Sequence, residues 1–234
     1  MSAVTLAAIA AALEAEGLLL LGAFHPAEDD AVPPLADGRR CGTLILAGNV
    51  GGSLWPAFSA APEAGDGKPD GLDRWSARVL GGLAASFGGE ALYPFGGPPY
   101  RPFQRWARRG APLTPSPLGM LIHPDYGLWH AYRGAIALPQ RLPGVLPPDA
   151  VEARPAPCET CFDKPCLTTC PVGAFTAEGY DVTACARHVA APAGADCLGL
   201  GCRARRACPV GRQHHYPAAQ ARFHMAAFIA AHDF

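Results

Sequence analysis

Residues 158–171 have the sequence CETCFDKPCLTTCP, which places four cysteines within thirteen residues. Eight of the nine cysteines of the chain lie between residues 158 and 208, and the ninth is Cys41. Three kinds of structure gather cysteines this densely: an iron–sulfur cluster, a structural zinc site and a set of disulfides. The spacing of the cysteines therefore decides how this part of the chain folds.

The spacing comes near the bacterial cluster-binding run C-x2-C-x2-C-x3-C-P, with two additional residues in the middle gap. A second Cys-Pro-Val-Gly at 208–211 repeats the one at 170–173. This duplication resembles the two-cluster ferredoxins, in which each Cys-Pro reaches the opposite cluster. The resemblance implies two [4Fe–4S] clusters. The predicted ligands are Cys158, Cys161, Cys166 and Cys208 for the first cluster, and Cys170, Cys185, Cys197 and Cys202 for the second.

Zinc and disulfides remain as alternatives, and the sequence favours neither. Zinc sites usually pair two C-x2-C units, or combine one with a spaced His pair, whereas this chain has one C-x2-C and an adjacent His214 and His215. The apolar N-terminal residues 1–17 contain no lysine or arginine, unlike a secretory signal, and they are shorter than a membrane span. We therefore expect a cytoplasmic protein with no membrane partner, in which thiols stay reduced. Cys41 is expected to be a buried core residue.

Apolar runs alternate with helical patterns over the first 140 residues, which predicts an α+β fold. The formal charge of −1 gives no broad electrostatic surface for nucleic acid. The predicted elements are helices over 3–16 and 71–87, strands over 18–24, 42–48 and 91–95, a basic helix at the end of 96–110, strands over 117–123 and 127–138 joined by a tight turn at 124–127, and a helical tail with Phe223, Ala227 and Ile229 on its apolar side.

Residues 118–148 carry Ile122-His123-Pro124, Gly127, Trp129, Arg133-Gly134 and Leu138-Pro139. This pattern resembles the cobalamin C family of cobalamin-processing chaperones. The resemblance implies a nitroreductase-like cobalamin-binding domain in which Arg133 has a catalytic role. The chain departs from the family at Tyr93-Pro94, where the family has His-Pro, and Tyr93 is expected to shield the cobalt face or to donate a proton. The resemblance also implies the following cofactor-binding residues: His123, Tyr126, Gly127, Trp129, Tyr132 and Gly134.

Residues 155–212, including YDVTAC at 180–185, resemble the cluster region of epoxyqueuosine reductase and, more distantly, of reductive dehalogenases. In both families two clusters pass electrons to cobalamin. The expected domains are a cobalamin-binding domain over 1–145, a proline-rich linker over 146–157, a bacterial-type two-[4Fe–4S] ferredoxin domain over 158–212 and a C-terminal helix in 213–234.

The predicted function is reduction of the corrinoid cobalt and removal of its upper ligand, with electrons from a separate donor. The alternatives are a tRNA-modifying reductase of the epoxyqueuosine type and a non-catalytic electron carrier or cobalamin chaperone. The chain ends about 26 residues after its last cysteine, without the helical-repeat region of the tRNA enzymes.

Several of these residues also have ordinary structural explanations. Trp129 and Tyr132 lie on an apolar stretch and are expected more often in a core, and His123 before a proline can stabilise a turn. The arginines at 203, 205 and 206 either raise the cluster potential or form a solvated face. A second basic run consists of Arg101, Arg105, Arg108 and Arg109. These arginines either form the solvated face of a helix or contact a nucleotide-tail phosphate, a flavin phosphate or RNA.

Overall fold

The structure is a computed structural model that describes residues 4–147, 150–151 and 155–232. Its helices and small sheets make the mixed α+β class that the sequence predicts. The chain divides into two compact units: Met1–Pro112 with Ala131–Arg154, and Leu113–His130 with Pro155–Phe234. The division differs from the expected boundaries because 113–130 belongs to the second unit. Residues 148–149 and 152–154 of the expected linker lie outside the described residues.

The first unit contains a four-stranded sheet in the order β1-β2-β6-β3. Its strands are β1 (Leu19–Phe24), β2 (Thr43–Val50), β3 (Glu90–Leu92) and β6 (His130–Leu138), the last of which enters the unit at Ala131. Its helices are α1 (Leu6–Ala15), α2 (Trp55–Ser59), α3 (Gly71–Ser86) and α4 (Phe103–Gly110), with short 3-10 turns at Glu28–Asp30 and Pro62–Ala64.

Local chemistry explains where these elements begin and end. The Thr5 hydroxyl accepts a hydrogen bond from the Ala8 amide at 3.1 Å and so caps α1, which ends before Gly17 at φ +73°. All eight residues of β2 are buried, because the strand lies inside the sheet. On α3, the buried Leu72 and Trp75 follow the helical spacing that the sequence predicts.

The second unit contains short elements. Its strands pair as β4 (Thr114–Pro115) with β5 (Leu121–Ile122), and as β7 (Phe175–Thr176) with β8 (Gly179–Tyr180). Its helices are α5 (Pro165–Thr168), α6 (Val182–Ala190), α7 (Ala195–Leu200), α8 (Arg203–Ala207) and α9 (Ala218–Ala230), with 3-10 turns at Pro192–Gly194 and Arg212–His214. The tail is helical as predicted, but its buried residues are Gln220 and Ala221, while Ala227 is exposed.

Two strand predictions need correction. The expected strand 91–95 is β3, which ends at Leu92 because Pro94 has no amide hydrogen for the ladder. The expected strands 117–123 and 127–138 do not form a hairpin, since β5 pairs with β4 and β6 lies between β2 and β3. The turn between them does exist, and His123 and Gly127 close it with two amide–carbonyl hydrogen bonds of 2.9 Å.

The core of the second unit explains why 113–130 belongs to it. Leu118, Ile122 and Leu128 pack with Ala204 and Cys208 in one buried cluster. Burial of these three side chains stabilises the segment in the second unit. Among the described residues, no helix is long and apolar enough to cross a membrane.

Candidate functional site

Four cysteines line one cavity of the second unit, here called the first cysteine cavity. They are Cys158, Cys161, Cys166 and Cys208. The loop of 158–166 supplies three of them, and Cys208 follows α8. Lys164 also lines this cavity, and its φ is +37°. It lies between Cys161 and Cys166, in the gap that has two residues more than the corresponding gap of the bacterial run. The cavity is small, at about 20 Å³.

The other four cysteines line a second cavity of about 150 Å³, here called the second cysteine cavity. They are Cys170, Cys185, Cys197 and Cys202. The structure thus brings the cysteines together in two groups of four, with the membership that the sequence assigned to the two clusters. All nine cysteines of the chain are free thiols, and Cys41 lines neither cysteine cavity.

The second cysteine cavity has aromatic and sulfur-containing lining residues that the sequence pattern did not predict. Phe175 and Tyr180 stack at 4.8 Å across the β7–β8 pair, and Met225 and Phe228 reach the cavity from α9. Burial, followed by the neighbouring Cys185 thiolate, raises the pKa of Tyr180 far above its ordinary value. A tyrosine directly before the Asp181 cap of α6 was the available signal for this contact.

One backbone amide donates a hydrogen bond to a cysteine sulfur. The donor is the Ala174 amide, which lies 3.3 Å from Cys170 Sγ. Burial raises the pKa of Cys202 and of Cys208, and nearby backbone amides oppose that rise. Such hydrogen bonds stabilise thiolate and are among the factors that set the potential of an iron–sulfur cluster.

The thiols of each group are close enough to influence one another. Burial, followed by the thiolates of Cys208 and Cys166, raises the pKa of Cys158. Burial likewise raises the pKa of Cys185, and the neighbouring thiolate of Cys170 adds to that increase. A cationic ligand would offset this cost, because coordinated thiols lose their protons. Each cavity therefore offers four thiols as candidate ligands for a metal cluster.

The three arginines between Cys202 and Cys208 have different environments. Arg203 and Arg206 both pair with Asp196, the former at 3.6 Å between Nε and Oδ2. Arg205 is half-buried and donates from Nε and Nη2 to the Leu128 carbonyl, at 3.0 and 2.6 Å. The helix α8 therefore does not present a uniformly solvated face, because Arg203 is the exposed one of these three arginines.

Arg205 lies between two aromatic rings. Its guanidinium carbon lies 4.3 Å from the ring centre of Trp129 and 4.6 Å from that of Tyr216. Trp129 is 2% exposed, and its Nε1 has no hydrogen-bond partner within the described ranges. The ordinary explanation of Trp129 as a core residue thus matches its place in the second unit.

The predicted residues His123, Tyr126 and Gly127 form a tight turn in the second unit. His123 Nδ1 accepts hydrogen bonds from the amides of Asp125 at 3.0 Å and Tyr126 at 3.3 Å. The rings of His123 and Tyr126 stack at 4.3 Å. A Cβ on Gly127, at φ +58°, would lie 2.1 Å from the Val210 carbonyl oxygen. These contacts give the three residues a structural role in this turn.

The remaining predicted residues belong to the first unit. Arg133 pairs with Asp73 and donates from Nε to the Ser76 hydroxyl at 3.2 Å, so α3 holds its guanidinium against the sheet. The Tyr93 hydroxyl donates to the Ala77 carbonyl at 3.0 Å, and burial raises its pKa. Gly134 leaves no room for a side chain, because a Cβ there would lie 2.6 Å from Leu80 Cδ1.

Tyr132 is half-buried, and burial raises the pKa of its hydroxyl far above the ordinary value. The residues expected around a cobalt are therefore divided between the two units: Tyr93, Tyr132, Arg133 and Gly134 in the first, and His123, Tyr126, Gly127 and Trp129 in the second.

Within residues 4–147, 150–151 and 155–232, no group of three or more His, Cys, Asp or Glu side chains is arranged to hold a metal ion. Comparisons of the chain with protein-family models, with curated proteins and with solved structures found no match.

Proposed function

We propose that this chain is a cytoplasmic redox protein that holds two [4Fe–4S] clusters in its second unit. The observation that supports the proposal most directly is the division of eight cysteines between two cavities, four to each. In this proposal Cys158, Cys161, Cys166 and Cys208 hold one cluster, and Cys170, Cys185, Cys197 and Cys202 hold the other. The second unit would then be a bacterial-type two-cluster ferredoxin domain.

We further propose that the first unit is a nitroreductase-like domain and that the substrate is cobalamin. The support is the sequence pattern of 118–148, which resembles the cobalamin C family. The clusters would supply single electrons obtained from a separate donor protein. One electron would reduce the cobalt(III) of cyanocobalamin to cobalt(II), and cyanide would leave with the bonding electron pair.

The non-catalytic alternative is favoured by the contacts of Arg133 and Tyr93. Arg133 is paired with Asp73 and bonded to Ser76, and the Tyr93 hydroxyl is bonded to the Ala77 carbonyl. A catalytic role for either group would require it to exchange these partners for the substrate. An electron carrier or cobalamin chaperone would leave both contacts in place.

Metal analysis tests the cluster proposal. The chain would be purified and reconstituted under anaerobic conditions, and iron, sulfide and zinc would be measured per chain. We expect about eight irons and eight sulfides per chain, from two four-iron clusters. Zinc in a ratio of about two per chain, with less than four irons, would overturn the assignment, because two zinc sites with four cysteine ligands each would use the same thiols.

Absorption spectroscopy with cyanocobalamin tests the substrate. We expect the corrinoid spectrum to shift on binding, and free cyanide to appear with many turnovers under anaerobic reduction. A single stoichiometric release would support the carrier instead of the enzyme. An unchanged corrinoid spectrum with an iron-loaded chain would exclude cobalamin and leave the cluster assignment standing.

A further inference from the structure

The first unit contains a cavity that none of the roles proposed above uses, here called the arginine cavity. It has a volume of about 560 Å³, within the range of small-molecule sites in proteins. Its lining comes from the end of β1, the end of α4 and the segment after β6, and consists of Phe24, His25, Arg109 and residues 141–147. The wall is therefore partly apolar and carries three nitrogen-bearing side chains.

A buried threonine fixes the backbone on both sides of Arg141. Thr43 is fully buried, and its hydroxyl donates to the Gln140 carbonyl at 2.8 Å while accepting from the Leu142 amide at 2.9 Å. The Gly42 amide adds a hydrogen bond of 2.8 Å to the Leu138 carbonyl. The position of Arg141 at the cavity is thus set by the core of the first unit.

Two contacts orient Arg109, which also lines the cavity. Its Nε and Nη2 approach the two carboxylate oxygens of Asp30 at 3.1 and 3.4 Å, and its guanidinium carbon lies 5.6 Å from the ring centre of Phe24. Asp30 is 3% exposed, so it compensates the charge of Arg109 from inside the protein. About a third of the Arg109 side chain remains exposed.

The tautomer of His25 is also determined by its surroundings. His25 Nδ1 lies 2.8 Å from the Gly42 carbonyl oxygen, which can only accept, so Nδ1 carries a proton. Nε2 is then the ring nitrogen left for a ligand, and in the neutral ring it accepts a hydrogen bond.

Arg141 supplies the positive charge of the cavity that remains after Asp30 has balanced Arg109. Within the described part of the chain it has no hydrogen bond or ion pair, whereas Arg109 is balanced by Asp30. Planar guanidinium groups bind phosphate oxygens in pairs, and a phosphate monoester that retains one hydroxyl can also donate to His25 Nε2. Leu146, which also lines the cavity and is 62% exposed, offers apolar surface for the rest of such a molecule.

We propose that the arginine cavity binds a small organic phosphate monoester, with its phosphate at Arg141 and Arg109 and its apolar body against Leu146. The arginine cavity shares no lining residue with the two cysteine cavities.

Isothermal titration calorimetry of the full chain tests this site, with 1-naphthyl phosphate as the probe in about 0.1 M salt. The comparison ligands are 1-naphthol, which lacks the phosphate, and 1-naphthoate, which carries a carboxylate. We expect 1-naphthyl phosphate to bind at least about tenfold more tightly than either. Equal binding of 1-naphthol would overturn the proposal, and tighter binding of 1-naphthoate would overturn the choice of phosphate.

The variant Arg141→Gln should weaken 1-naphthyl phosphate binding at least about tenfold. Arg141→Lys keeps the charge without the paired donors and should lie between Arg141→Gln and the native chain. The matched control is Arg108→Gln, since Arg108 is exposed on α4 and does not line the cavity. An equal loss in Arg108→Gln, or no loss in either Arg141 variant, would refute the site.

Discussion

The two Cys-Pro-Val-Gly segments end in glycines with similar backbone angles and different surroundings. Gly173 has φ +59° and Gly211 has φ +73°, both in the left-handed region. A Cβ on Gly173 would meet no atom within 4 Å, whereas one on Gly211 would lie 2.3 Å from the Tyr126 carbonyl oxygen. Alanine at either position would therefore cost conformational energy, but only Gly211→Ala would also force two backbone segments apart.

The two costs can be separated in magnitude. Left-handed backbone costs a residue other than glycine about 1–2 kcal/mol. Displacing a packed neighbour costs about 1–3 kcal/mol more. We therefore expect Gly173→Ala to lose about 1–2 kcal/mol of local stability and Gly211→Ala about 2–5 kcal/mol. Both glycines lie three residues after a cysteine of the proposed clusters, so each variant is the control for the other.

Hydrogen exchange with mass spectrometry measures this difference locally, in peptides that cover 118–130 and 203–216. Local opening is the suitable quantity because a chain of two compact units need not unfold in one step. Gly211→Ala should lower protection in both peptides, and Gly173→Ala should leave both close to native. Equal protection in the two variants would refute the close approach of Gly211 to the turn at 123–127.

Three further predictions concern single sites. Cys202→Ser should reduce the iron content of the reconstituted chain from about eight to about four per chain, while Cys41→Ser should leave it unchanged, as metal analysis would show. Burial, with a smaller contribution from His123, lowers the pKa of His130 to about 4, so the unfolded chain binds a proton that the folded chain does not. Stability should fall as pH decreases from about 6.5 to about 4, by up to about 3 kcal/mol, and denaturation of His130→Asn should show a flatter pH profile. A double-mutant cycle of Arg133→Gln and Asp73→Asn should give a coupling energy of about 0.5–3 kcal/mol, and a value near zero would remove the structural role of that ion pair.

Much of the first unit could be predicted from local patterns. The apolar runs at 18–24 and 42–48 and the helical spacing of 71–87 correspond to β1, β2 and α3. Short-range signals suffice there, because side-chain periodicity records which faces are buried. The pairing of β6 could not be predicted in the same way, since an apolar run indicates a strand without indicating its partner.

The sequence by itself provided the prediction of two groups of cysteines, through the resemblance of its repeated Cys-Pro-Val-Gly to the two-cluster ferredoxins. Only the tertiary structure decided what surrounds the other predicted site residues. Whether Arg133 meets a substrate or the carboxylate of Asp73 depends on how α3 packs on the sheet. Likewise, the need for glycine at 127 depends on a backbone carbonyl more than eighty residues away, at Val210. Contacts between residues so distant in the chain leave no local periodicity, and folding alone brings them together.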